Sequence, residues 1–174
     1  MGVYLVNTEE ELINKAKYLS NVYTQQLLIE EYIRGMELSV GILGTAENSY
    51  VYMCFEFINE DGSNIEVLDY NKKYNEDTRS IAPRLNKKII DQICDYSLYI
   101  HKMVGFRDIS RIDWRVNENT AYFIEATPLP SFEEDLDFDL ASKEKGKSFD
   151  FVLNEILKSA LKRGNKNDNM ATRY

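Results

Sequence analysis

Histidine and cysteine are almost missing from this chain of 174 residues, which has one His and two Cys. Zinc sites draw on clustered His and Cys, so the lone His101 with no Cys-x-x-Cys beside it argues against one. It reads instead as a helix-surface or packing residue. Cys54 and Cys94 sit inside apolar patterns and are expected to be buried free thiols rather than a disulfide. No Ser/His/Asp or Cys/His nucleophile is apparent. Cations are the minority, 21 Lys and Arg against 29 Asp and Glu for a net charge of −8. A nucleic-acid partner would want a basic face, which this balance does not offer. No apolar run approaches membrane-spanning length and Met1 opens no cleavable leader, so the expectation is a cytoplasmic protein without a membrane partner. What is abundant is core material, 44% hydrophobic and 12% aromatic with twelve Tyr. That supports a folded chain of one domain or two small lobes.

The most informative stretch is 109–130, ISRIDWRVNENTAYFIEATPLP, which reads as a β-hairpin with one charged face. Alternation sends Arg111, Asp113 and Arg115 one way and Ile112, Trp114 and Val116 the other. A three-residue turn at Glu118-Asn119-Thr120 would pair Val116 with Tyr122, Trp114 with Ile124 and Ile112 with Ala126. The same register sets Asp113 opposite Glu125 and Arg111 opposite Thr127. Like charges across a strand pair are destabilising. A register that seals the apolar face therefore asks for a cation at the two acids, and oxygen ligands of this kind suit Mg²⁺. The alternative is a surface hairpin whose acids are solvated or paired with Arg111 and Arg115.

Around this hairpin the segments read as successive antiparallel strands and packed helices. Residues 1–6 form a short apolar strand. Thr8 and Glu11 make a capping box for a helix to about Ser20. Strands are expected at 27–31 (LLIEE), 37–43, 50–58 and 65–68. Residues 69–83 are polar and without apolar periodicity, an exposed connection on their own evidence. Asn86 caps a helix with Ile90, Ile93, Ser97, Ile100 and Val104 on one face, ending at Gly105. The acidic run Glu133, Glu134, Asp135, Asp137 and Asp139 is expected on a solvated face leading into a short helix. A last helix starts at Ser148, buries Phe149, Val152, Leu153, Ile156, Leu157 and Ala160, and stops at Gly164. Residues 165–174 read as a disordered tail.

Taken in order, LLIEEYIRGMELSVGIL, DYNKKY, ISRIDW and FIEATPLP resemble the ATP-grasp ligases, specifically their D-alanine–D-alanine ligase branch. The pieces stand for an adenine hinge, a G-x-E strand, a Tyr-x-x-Lys-Tyr loop, an Arg-x-Asp strand and a Glu-x-Asn strand end, and the likeness runs from about Gly2 to Arg163. The resemblance implies an α+β, ATP-grasp-like fold with part of the small lobe at 1–45 and the large lobe at 46–164. It implies that ATP and Mg²⁺ (or Mn²⁺) are bound and that a small-molecule carboxylate and an amine are joined through an acyl-phosphate. Glu30, Glu31, Tyr32 and Ile33 would hold adenine, and Glu37 the ribose or its neighbours. Lys73 and Tyr74 would close a lid over the phosphates, which turns 69–83 from a plain connection into a mobile lid. Arg111 would steady the acyl-phosphate, and Asp113, Glu125 and Thr127 would hold the metal.

The sequence departs from that family in three places. Thr127 stands where the family has a metal-binding Asn. Ser131-Phe132-Glu133-Glu134-Asp135 replaces a Gly and a Ser-rich segment that contacts the substrate carboxylate, so a cationic or amine-rich acceptor fits the charge better than D-alanine. The family's additional N-terminal domain, Lys-Pro strand and glycine-rich loop have no counterpart. The expectation is either a fragment or a piece whose missing half comes from another polypeptide, and an open strand edge at 1–6 or 37–43 would in addition favour a homodimer. A catalytically silent nucleotide- or metal-binding module is the alternative function.

Overall fold

The computed structural model describes residues 3–66 and 78–171, with side chains through residue 164. The elements are α1 (Glu9–Val22), β1 (Met36–Leu43), a 3-10 turn (Ala46–Asn48), β2 (Tyr50–Asn59), β3 (Thr78–Ile81), α2 (Lys87–Val104), β4 (Ile109–Asn117), β5 (Thr120–Thr127), α3 (Asp137–Glu144) and α4 (Phe149–Ala171). All strand pairs are antiparallel, in the order β3-β2-β1-β4-β5. The α+β expectation holds. Among the described residues no helix is long and apolar enough to cross a membrane.

Strand alternation divides the sheet between two apolar clusters. Leu38, Val40 and Ile42 from β1 join Ile112, Trp114 and Val116 from β4 under Ile89 and Ile93 of α2. On the other side Leu43, Met53, Phe55 and Ile109 pack with Phe138 and Ala141 of α3 and Val152 of α4. Helix α2 begins where Asn86 accepts a hydrogen bond from the Ile89 amide and ends at Gly105, whose φ of 77° is the left-handed turn that closes many helices. Its buried row is Ile89, Ile93, Ser97 and His101; Ile93 and Ser97 are as expected, Ile90 and Ile100 are only half-buried and Val104 is exposed. Ser97 serves that row by accepting from the Trp114 indole at 2.8 Å and donating to the Ile93 carbonyl at 2.7 Å.

Several expectations are corrected. Residues 3–6 and 27–31 carry no regular secondary structure, since neither stretch pairs with a strand among the described residues. Thr78–Ile81, read as loop, pairs with β2; residues 69–77 of the expected lid lie outside the described residues. β1 is the centre of the sheet, hydrogen-bonded to β2 and β4. It offers no open edge for a dimer, and a lobe boundary at residue 45 would cut between paired strands. Gly164 does not end the last helix, which runs on to Ala171: its backbone avoids the left-handed region, and no proline follows it. Leu153 and Leu157 of the expected apolar stripe are 38% and 59% exposed. Cys54 and Cys94 are free thiols but half-buried.

His101 is fully buried, which makes it the packing residue of the two expected alternatives and not a helix-surface one. Its Nε2 lies 3.2 Å from the Gly44 carbonyl, which can only accept, so Nε2 carries the proton and Nδ1 accepts from the Ser110 hydroxyl at 2.7 Å. Burial first of all pushes its pKa below 6.5. Below that pH the unfolded chain takes up a proton that the folded chain resists, so the stabilisation is lost as pH falls. Urea unfolding from pH 7 to pH 5 should show stability dropping by up to about 1.4 kcal/mol per pH unit from this residue, and H101Q should lose that part of the slope.

Candidate active site

The hairpin reaches the expected register by a different route. Its turn is tighter, with Asn117 opposite Thr120, so Val116 meets Ala121 and Trp114 meets Phe123 rather than Ile124. The Trp114 and Phe123 rings are edge-on with centroids 5.9 Å apart. An irregularity next to Asp113 then absorbs one residue on β5, and beyond it Asp113 faces Glu125, Ile112 faces Ala126 and Arg111 faces Thr127. A β-bulge of this kind re-aims side chains, and here it brings the two acids back into opposition.

The carboxyl groups of Asp113 and Glu125 lie on one side of the sheet, both in reach of Arg111. Its Nε sits 2.8 Å and 3.1 Å from the two Asp113 oxygens, its Nη2 2.7 Å from Asp113 and 3.8 Å from Glu125, and its Nη1 3.5 Å from Asp137. The Ser39 hydroxyl from β1 donates to the same Asp113 at 2.5 Å. Burial works against the charge on Arg111, but Asp113, Asp137 and Glu125 outweigh it and its pKa is raised. The cation that neutralises the acid pair here is thus a guanidinium. Among the described residues no group of three or more His, Cys, Asp or Glu is placed to hold a metal ion.

Asp137 was expected on a solvated acidic face, yet it and Asp139 are buried. Asp139 accepts from the Asp135 amide at 2.8 Å and pairs with Lys143 at 2.7 Å. The neighbour of Asp137, Phe138, packs against the sheet over Gly41, where a Cβ would stand 2.8 Å from the Phe138 ring and 2.6 Å from Met53. Gly41 faces Arg111 across β1 and β4, so its missing side chain admits the helix that carries Asp137.

The residues preceding β1 close a cavity of about 770 Å³ against this face. Glu30, Glu31, Tyr32, Ile33, Glu37 and Asp113, six of the expected site residues, line it. Lys73 and Tyr74 lie outside the described residues. Arg115 is the contributor that sequence reasoning left unassigned. Largely buried, it donates to Glu37 at 2.7 Å, to the Ile33 carbonyl and the Tyr32 hydroxyl at 3.3 Å, and to the Ile65 and Glu66 carbonyls at 3.2 Å and 2.5 Å. Its alternation with Asp113 was the available signal. Glu37 is pulled two ways: burial raises its pKa and outweighs the opposing pull of Arg115. Removing Arg115 strands a buried carboxylate and unties the 32–33 backbone. R115A should cost about 3 kcal/mol in urea unfolding, and E37Q added to it should recover part of that loss.

The family model for the D-Ala–D-Ala ligase C-terminus matches residues 1–158. The chain is 28% identical over 165 residues to the D-alanine–D-alanine ligase of Petrotoga mobilis, covering 93% of this chain and 53% of that protein. Against the same-named enzyme of Aquifex aeolicus it is 30% identical over 158 residues, covering 90% and 51%. The crystal structure of the Bacillus anthracis D-alanine–D-alanine ligase complexed with ATP superposes with a TM-score of 0.73 at 22% identity, covering 96% of this chain and 53% of that one. At that identity the likeness concerns the fold, which is ATP-grasp. The chain spans about half the length of these relatives. A match over residues 1–158 of 174 is most of the chain, and the chain belongs to the D-Ala–D-Ala ligase C-terminal family.

Proposed function

We propose that this chain is the nucleotide-binding part of an ATP-dependent ligase that joins a carboxylate to an amine. One observation carries the proposal: Asp113 lines the same cavity as residues 30–33 and brings Glu125, its cross-strand partner, with it. ATP would lie with adenine against Glu30, Glu31, Tyr32 and Ile33, near Glu37, and with its phosphates toward the acid pair. Lys73 and Tyr74 are assigned to phosphate closure by resemblance alone.

The donor set fits a hard cation of limited protein ligation. Two carboxylates and the Thr127 hydroxyl are oxygen donors, and Mg²⁺ is commonly held by one or two carboxylates plus substrate phosphates and water. A Mg²⁺ ion, or Mn²⁺ in its place, would neutralise phosphate charge when bound there. In the reaction a carboxylate oxygen attacks the γ-phosphorus, the bond to the bridging oxygen breaks and ADP leaves, giving an acyl-phosphate. An amine nitrogen then attacks the acyl carbon, phosphate leaves and the nitrogen loses a proton. Arg111 is placed to stabilise the charge on the transferred group, a role of position and electrostatics. The division into lobes would fall before Met36, since β1 belongs to the large sheet. A complementing N-terminal half, on this chain's own precursor or on another polypeptide, would supply the remaining phosphate contacts.

The acceptor would carry positive charge. Glu133 and Glu134 are exposed, a few residues ahead of Asp137 in the chain, and would repel a carboxylate. Mg·ATP at a hundred times its Kd should stabilise the chain by about 2.7 kcal/mol, and D113N should abolish the gain. Absence of stabilisation in the wild type, with ATP up to millimolar levels, would overturn the proposal. In the same assay D-alanine should add less than an amine-rich compound; the reverse order would discard the cationic acceptor.

A further inference from the structure

Cys54 lies on β2 and Cys94 on α2, and the fold brings them side by side. Cys54 stands opposite Val40 of β1, and side chains directly across an antiparallel pair share a face. It therefore points with Val40 toward α2, while its neighbours Met53 and Phe55 point to the other side of the sheet. On α2 the row Ile89, Ile93 and Ser97 is buried, and Ser97 reaches Trp114 on β4. Cys94 and Leu98, four residues apart, form a half-buried flank beside that row. They pack against the same apolar cluster as Cys54. The two thiols are hydrogen-bonded to each other. Arg84, just ahead of α2, holds the same helix end on β2 by binding Glu56, two residues from Cys54, at 2.6 Å and 3.0 Å.

We propose that Cys54 and Cys94 are an oxidation site: a peroxide converts the pair to an intrachain disulfide that fastens α2 to β2. The proposal uses neither the nucleotide nor the metal reading. With hydrogen peroxide the Cys94 sulfur attacks the O–O bond, keeps one oxygen as a sulfenic acid and releases water. The Cys54 sulfur then attacks the Cys94 sulfur, the S–O bond breaks, and the oxygen leaves with the Cys54 proton as a second water. In all, two thiols give up two electrons and two protons, and the peroxide is reduced to two waters. Cys94 is the attacking sulfur because it receives the Cys54 hydrogen bond. That bond holds its pKa below the usual thiol value, against burial and the nearby Asp91 and Asp95 carboxylates. The same bond and burial push Cys54 up, and the thiolate is the form that reacts. Cys94 also sits next to the exposed Asp95, where a small oxidant has access.

Peptide mapping by mass spectrometry, after exposure of the whole chain to hydrogen peroxide, reads the outcome. Expected is a pair of peptides joined through Cys54 and Cys94 and returned to free thiols by dithiothreitol. The thermal midpoint of the oxidised chain should rise by roughly 10 °C, because the link restricts the unfolded chain between residues 54 and 94. In C54S, dimedone, a reagent for sulfenic acids, should label Cys94; in C94S it should leave Cys54 unlabelled. Two free thiols after peroxide, a link between two chains, a lowered midpoint, or a stable oxygen adduct on Cys94 in place of the link would each overturn the proposal. So would labelling of Cys54 rather than Cys94. Should a variant fail to fold by circular dichroism, the wild-type peptides still decide.

Discussion

Strand β4 lies between β1 and β5 with Ile112, Trp114 and Val116 sealed under α2, and this one commitment dictates the rest of the site. Once those three side chains point down, Arg111, Asp113 and Arg115 have to point up, because neighbours along a strand face opposite ways. Unit charges about 4 Å apart interact by about 4 kcal/mol at the effective dielectric of a protein surface. Charges brought so close on a partly buried face must cancel. They do so in two groups, Arg111 with Asp113, Glu125 and Asp137, and Arg115 with Glu37 and four backbone or hydroxyl oxygens.

These two groups do different work. The Arg115 group is structural: it ties 32–33 and 65–66, which have no strand ladder of their own, to the middle of the sheet. The Arg111 group gathers three carboxylates, and one of them is exposed, since the Glu125 side chain is 60% accessible. An arrangement of charges with an open side is suited to meet a charged ligand. A buried ion network contributes little net stability, because desolvation offsets most of its Coulomb gain. Its presence so close to a large cavity therefore calls for another purpose, and ligand chemistry meets that call.

The far end of the same face shows how ordinary packing frames the site. Leu43, Met53 and Phe55 continue the face as an apolar patch covered by Phe138, Ala141 and Val152. Polar and apolar halves meet at Gly41, the one position on β1 where a side chain would collide with Phe138. The line between core and site is thus drawn by where α3 can reach, and α3 carries Asp137 to it.

Much of this was legible in the chain. Alternation in ISRIDW and in MELSVGIL set which residues share a face, and it did so correctly because period-two geometry needs no knowledge of neighbours. Thr8, Asn86 and Gly105 marked helix ends because capping is local chemistry. The motif order gave the family. What failed was everything that depended on a partner. The 27–31 stretch has strand composition but found no ladder, and Thr78–Ile81 has little strand character but found one. The row on α2 kept Ile93 and Ser97 but took Ile89 and His101 inside where Ile90 and Ile100 were expected. The hairpin turn was read one residue too long, and a bulge on β5 compensated, so Asp113 and Glu125 met regardless. Of the acids after Pro130, Glu133, Glu134 and Asp135 are exposed as expected, but Asp137 is buried, because charge in sequence gives no hint of a guanidinium twenty-six residues away. By itself, then, the sequence determined which side chains travel together, since that follows from bond geometry along one strand or helix. Only the tertiary structure decided which of those groups meet, because the energy of burying a charge depends on what stands opposite it.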